Sequence, residues 1–159
     1  MANYTGADVI TTSDVLKYQP DAFDFGISTT ATETTNFLAQ TTNDILRQLR
    51  IEWWPRVRRA KDYSNYFSTT DLEMNNSKLT ASQFKTAAVY HCLAYYILPQ
   101  LTQHMADPDR FRMMIDFYKA RFREELDYVL ADGIKYDWDG DGTVEASEEQ
   151  PQHFNRLVR

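Results

Sequence analysis

Apolar residues along this chain fall into long helical stripes rather than alternating runs. Phe37, Leu38, Ile45, Leu46, Leu49 and Trp53 recur at three-, four- or seven-residue intervals, which predicts a first long helix over about 30–54. Its threonine-rich beginning weakens the first turn, and Pro55 ends it at or just after Trp54. In LTASQF, Thr80 and Gln83 have the spacing of a capping box, with Leu79 and Phe84 as the hydrophobic staple across it. FKTAAVYHCLAYYIL follows, apolar on nearly every side, so a second helix should be central and buried, kinked or ended near Leu98 by Pro99.

A third helix opens at ADPDRF, with Asp107 as cap and Pro108 in the first turn. Phe111, Ile115, Tyr118, Phe122, Leu126 and Val129 give it the clearest amphipathic face in the chain. Asp132-Gly133 stops it, which makes the helix roughly 35 Å long. Near the N-terminus Ser13 is the expected cap of a short helix that Pro20 limits, and Gly26 permits a turn. Residues 56–78 read as a long polar loop with a helical turn near 69–74.

No segment shows sustained two-residue alternation. The expected fold is all-α: a small antiparallel helical bundle of three long helices plus short ones, with an irregular C-terminal loop and tail. The division expected is a bundle over 1–133 and an acidic loop with a docking tail over 134–159.

Composition changes this picture in three ways. Aromatic residues reach 14%, with ten tyrosines, nine phenylalanines and three tryptophans, which fits either an aromatic core or an interface. The net charge of −6 argues against nucleic acid as a partner of the whole surface. Against that balance stand Arg56, Arg58, Arg59 and Lys61, which fit a solvated patch, contact with phosphates or contact with acids on a partner. Trp53 and Trp54 just before them are hard to bury in one small bundle, which favours an interface. The single cysteine, Cys92, excludes an internal disulfide. MANYTGADVITTSDV lacks the basic and apolar regions of a signal peptide, and no apolar window is long enough to span a membrane. The expectation is a soluble protein made in a cytoplasm.

The one strong motif is DWDGDGTVEASE. Asp137, Asp139, Asp141, Gly142, Thr143, Glu145 and Glu148 occupy the diagnostic positions of an EF-hand calcium loop, with Val144 as its apolar residue. Its flanks do not fit a sensor: Gly133 stops the incoming helix early, and Pro151 leaves the outgoing one barely a turn. No second loop exists to pair with it. Six acids between Asp137 and Glu149 with no cation among them repel one another. A calcium ion, a basic partner or plain solvation are the three ways to relieve that.

Catalytic chemistry finds little footing. His91 and Cys92 are neighbours, pointing about 100° apart on a helix, and read as core residues. His104 and His153 lack partners at ligand spacing. Glu124 and Glu125 fit a solvated face. No nucleophile elbow, phosphate loop or zinc-protease signature occurs.

The order of pieces carries a resemblance. A short helix precedes a long one ending in aromatic and basic residues. A polar loop leads to FKTAAVYHCLAYYIL and then to RFRMMIDFYKARFREELDYVLADG. Over roughly residues 8–136 this resembles the head-to-tail connector (adaptor) proteins of tailed bacteriophages, and YKARFREEL running into DGIKYDWDGDG is similar to phage neck proteins. The resemblance implies a non-enzymatic virion protein of the neck, assembled in the host cytoplasm as a dodecameric ring between the portal protein and the next neck or tail protein. Its channel would let DNA pass, which suits an acidic wall. Phe154, Arg156, Leu157, Val158 and Arg159 would anchor a tail on the portal. Two alternatives stand beside it: another phage tail-completion or neck protein, and a stand-alone calcium-binding helical module.

Overall fold

The computed structural model describes residues 9–23, 36–57, 73–104, 108–146 and 148. The protein is mostly helical, with no strand among the described residues. The turn at Gly26, the cap at Asp107 and most of the loop over 56–78 lie outside them.

Helix α1 spans Thr12–Leu16. Its cap is Thr11 rather than Ser13, because Asp14 closes a box with Thr11. The Thr11 hydroxyl donates to Asp14 Oδ2 at 2.7 Å and the Thr11 amide to the same oxygen at 3.1 Å. Helix α2 spans Phe37–Glu52, later and shorter than its periodicity predicts. Asn36 caps it, accepting from the amides of Leu38 and Ala39, so the threonines before it are not needed. Pro55 does not end helical structure. The chain turns at Trp53 and residues 54–57 are helical again, with Pro55 early enough that its missing N–H costs nothing.

The central helical run begins with a 3₁₀ turn over Ala81–Phe84 and continues as α3, Lys85–Cys92. A π turn over Leu93–Ile97 leads into α4, Leu98–His104. Pro99 was expected to end or kink the run near Leu98, yet the helix passes through it. Proline lacks the N–H that would bond the carbonyl four residues back, and its ring crowds that carbonyl. The wider π turn just before it, with the Leu98 amide reaching the Leu93 carbonyl, makes the room. The capping box at Thr80 does not form either. The Thr80 hydroxyl is buried without a hydrogen-bond partner, and Gln83 donates to the Thr80 carbonyl at 2.8 Å and to the Lys135 carbonyl instead of accepting from the Thr80 amide.

Helix α5, Pro108–Asp132, has 25 residues and is about 37 Å long. It ends at Gly133, whose φ of 102° is the left-handed stop its sequence calls for. Tyr118, Phe122 and Leu126 give its buried stripe. Against that stripe pack α3, the π turn and α4, and α3 also meets α2. Ala88, Cys92, Leu93, Ile97 and Leu98 have no exposure at all. Each large apolar side chain buried this way contributes about 1.5–3 kcal/mol. The core runs past Gly133 and takes in Ile134 and Tyr136.

Candidate metal centre and its aromatic anchor

The acidic loop takes its shape from its own carboxylates. Asp137 Oδ1 accepts from the Gly140 amide at 2.7 Å and its Oδ2 from the Gly142 amide at 3.0 Å. Asp139 accepts from the Asp141 amide, and Asp141 from both the amide and the hydroxyl of Thr143. Each is a short acceptor bonding backbone a few residues ahead, the habit that makes aspartate a turn residue. Gly140 and Gly142, at φ 80° and 92°, supply the two left-handed positions. Glu148 closes the loop, one oxygen accepting from the amides of Trp138 and Asp139 and the other from Glu145.

One oxygen each from Asp137, Asp139 and Asp141 lies within 4.8 Å of the others. Oxygens bound to calcium sit 2.3–2.6 Å from the ion, so the separation fits three ligands of one cation. Of the other predicted ligands, Glu148 is engaged with the loop backbone. Glu148 accepts with both oxygens from backbone amides, whereas Thr143, whose position ligates through its backbone carbonyl, and the exposed Glu145, whose position often acts through water, keep those atoms available. Asp137 is only 1% exposed, while Asp139 and Asp141 face solvent. Lys78 also comes near: a Cβ on Gly140 would lie 3.4 Å from its Nζ, so a cation from another segment offsets part of the acidic charge.

No helix runs into this loop. Residues 134–137 are extended and pair with the chain before the central helix. The Thr80 amide donates to the Lys135 carbonyl, the Asp137 amide donates to the Lys78 carbonyl at 2.9 Å, and Leu79 bridges Tyr136. Gln83 clamps the same strip, donating to the Lys135 carbonyl and accepting from its amide. A calcium-driven swing of an incoming helix has nothing to act on here.

Trp53 and Trp54 overturn an expectation. They are 5% and 6% exposed, buried inside the chain rather than held out for a partner. Trp54 stacks on Trp138 at 5.8 Å, and Tyr136 lies between both tryptophans at 5.8 and 5.5 Å. The partners arrive from the strip after α5, far away in sequence, which is why spacing alone argued for an interface. The result is an aromatic anchor under the first residues of the acidic loop. Arg56 beside it is exposed, while Arg58, Arg59 and Lys61 lie outside the described residues, as do Phe154, Arg156, Leu157, Val158 and Arg159.

Elsewhere the titratable groups are occupied with structure. Cys92 is fully buried, and burial pushes its thiol up to about 12, so it is no nucleophile. Burial also lowers the pKa of His91, against the pull of Asp44. Asp44 pairs with Arg47 at 2.6 Å and accepts from Tyr96. Burial disfavours the Asp14 carboxylate, but Thr11, Lys85 and Lys17 outweigh it and hold its pKa well below the usual range. Asp14 was missed, although its spacing from Thr11 in TTSD is that of a capping box and could have signalled it. Asp44, an acid on an ordinary helix face, gave no such signal. A groove of about 670 Å³ runs beside it between α2 and α5, floored by His91, Tyr95 and Phe122.

No family model matches the chain, and no curated protein or solved structure is significantly similar to it.

Proposed function

We propose that the protein is a non-enzymatic structural subunit, a head-to-tail connector of a tailed bacteriophage that assembles with copies of itself in the virion neck, between the portal protein and the next neck or tail protein. The observation that carries the reading is the surface of α5. Met113, Phe117 and Tyr128 are 69%, 53% and 59% exposed on a helix whose other side is already packed in the core. Large apolar groups left outside a finished core fit a chain that is completed by neighbours. In this reading α2, the central run and α5 form an antiparallel bundle, and the net charge of −6 suits a channel along which DNA slides.

A second reading concerns the acidic loop, and the convergence of Asp137, Asp139 and Asp141 favours it. In it the loop holds a calcium ion as a rigid elbow between α5 and the tail, without a sensor's motion.

Electron microscopy of the purified protein mixed with portal rings tests the connector. Added density capping the portal on one side is expected. Portal rings that stay bare at saturating protein would sink it.

A further inference from the structure

On the side of α5 away from the core, Met113, Phe117 and Tyr128 are 69%, 53% and 59% exposed. Between the last two stand Arg121 and Glu124, whose side chains are about half in water at 48% and 42%. Phe117, Arg121, Glu124 and Tyr128 follow at steps of four, three and four residues, the spacing that keeps one line along a helix. Exposed Ala131 continues that line, so from Met113 it runs about 27 Å. Its charged pair is already ordered, since Glu124 accepts from Arg121 at 2.8 Å and from the Tyr128 hydroxyl at 3.0 Å.

Reversed end for end, this stripe is its own complement. Two copies of α5 can lie antiparallel about a two-fold axis level with the point midway between Phe122 and Arg123. Phe117 is then level with Tyr128 of the second copy, and Arg121 with its Glu124, because each pair stands equally far from that point in the sequence. Met113 falls within about one residue of Ala131, whose small side chain leaves room for it. Symmetry repeats every contact, which gives apolar ends around a central cluster of two arginines and two glutamates. Asp116, Glu125 and Asp127 stand about 70–110° round the helix from the stripe, at the rim of the contact. A different partner would have to bring the reversed pattern of charged and apolar groups, whereas a second copy brings it by symmetry.

We propose that two copies of this chain pair through α5 in an antiparallel, isologous contact, with Phe117 against Tyr128 and Arg121 against Glu124 twice over. The inference rests on the reading of the protein as a self-assembling subunit and names the surface that begins the assembly. An isologous contact closes at two copies, so growth beyond the pair needs a second surface. A strip about 27 Å long is at the small end of specific interfaces, so the pair comes apart on dilution.

Sedimentation velocity over a concentration series tests this on the wild type, Arg121→Glu, Glu124→Arg and the double variant that carries both changes. The wild type passes from monomer to dimer. Either single variant sets like charges against each other at both crossings and weakens pairing by about 30-fold or more. Mixed in equal amounts the two single variants pair again, since one carries only acids at these positions and the other only bases. The double variant, with both charges exchanged, pairs as well. Both side chains reach solvent, so circular dichroism should show the fold unchanged, and recovery in the mixture separates lost pairing from misfolding. A wild type monomeric at its highest soluble concentration overturns the proposal. So does a single variant that pairs like the wild type, or a mixture or double variant that stays monomeric. Portal capping, scored separately by microscopy, distinguishes the two readings: capping without pairing leaves the connector standing and removes this contact, and pairing without capping does the reverse.

Discussion

The central helical run and the acidic loop are ordered by opposite means. From Ala87 to Leu101 the run is held by apolar volume, with Leu93, Ile97 and Leu98 wholly out of water. Beyond Trp138, which belongs to the aromatic anchor, the loop from Asp137 to Glu148 is mostly polar and is held by carboxylates bonded to nearby amides. Packing is indifferent to ions and forgiving of local backbone, as the passage through Pro99 illustrates. Carboxylate-built turns depend on charge and on particular φ values. The two regions should therefore fail under different insults, although the aromatic anchor joins them.

The largest effect should come from the packed side. Phe84 has no exposure, and Phe84→Ala is expected to cost about 3–5 kcal/mol in urea unfolding through transfer loss and cavity formation. If the comparison holds, any calcium response of the folded variant stays as in wild type. A variant that loses it as well would show that the loop is only an extension of the core.

A smaller effect is expected on the loop. Calcium at millimolar concentration should raise the melting temperature and produce heat in calorimetric titration. Gly142 has φ 92° with no atom within 4 Å of where a Cβ would stand, so Gly142→Ala meets backbone strain alone. That strain is about 1–2 kcal/mol, enough to weaken calcium by roughly tenfold. Absence of both heat and thermal stabilisation in wild type would remove the ion from the elbow.

The smallest effect is a pH dependence of the packed side. His91 is held neutral below its ordinary 6.5 by burial, and Asp14 is held ionised below its ordinary 3.8 by Thr11, Lys85 and Lys17 despite burial. Both folded pKa values are depressed, so both groups contribute stability above their ordinary values. That stability is lost as pH falls, first below about 6.5 and again below about 3.8. Urea midpoints measured against pH should show two descending limbs. His91→Phe should flatten the upper one, and an unchanged upper limb would assign it to another group.

Much of this was legible beforehand. The span of α5 followed from Pro108, Gly133 and an unbroken apolar stripe, because those signals act within one turn of the residues that carry them. The burial of FKTAAVYHC was legible too, since a segment apolar all round has no wet face to offer. Within the loop, DWDGDG specified its turns because each aspartate bonds an amide only two to five residues away. The errors have a common cause. Thr80 and Gln83 have capping-box spacing, yet Gln83 bonds the backbone of Lys135 and the Thr80 carbonyl, and the Thr80 hydroxyl has no partner. Trp53 and Trp54 looked like interface residues until Tyr136 and Trp138 covered them. Pro99 looked like a stop, and a π turn made it a passage.

The sequence alone determined where α5 runs, that the segment from Lys85 is buried helix, and how the acidic loop bends, because those outcomes depend on forces acting over one or two turns. Only the tertiary structure decided what covers the tryptophans, what Gln83 bonds, which groove opens between α2 and α5 and which apolar residues of α5 stay in water. Those depend on contacts between residues some fifty to eighty positions apart, such as Gln83 with Lys135 and Trp53 with Tyr136, whose partners no local spacing records.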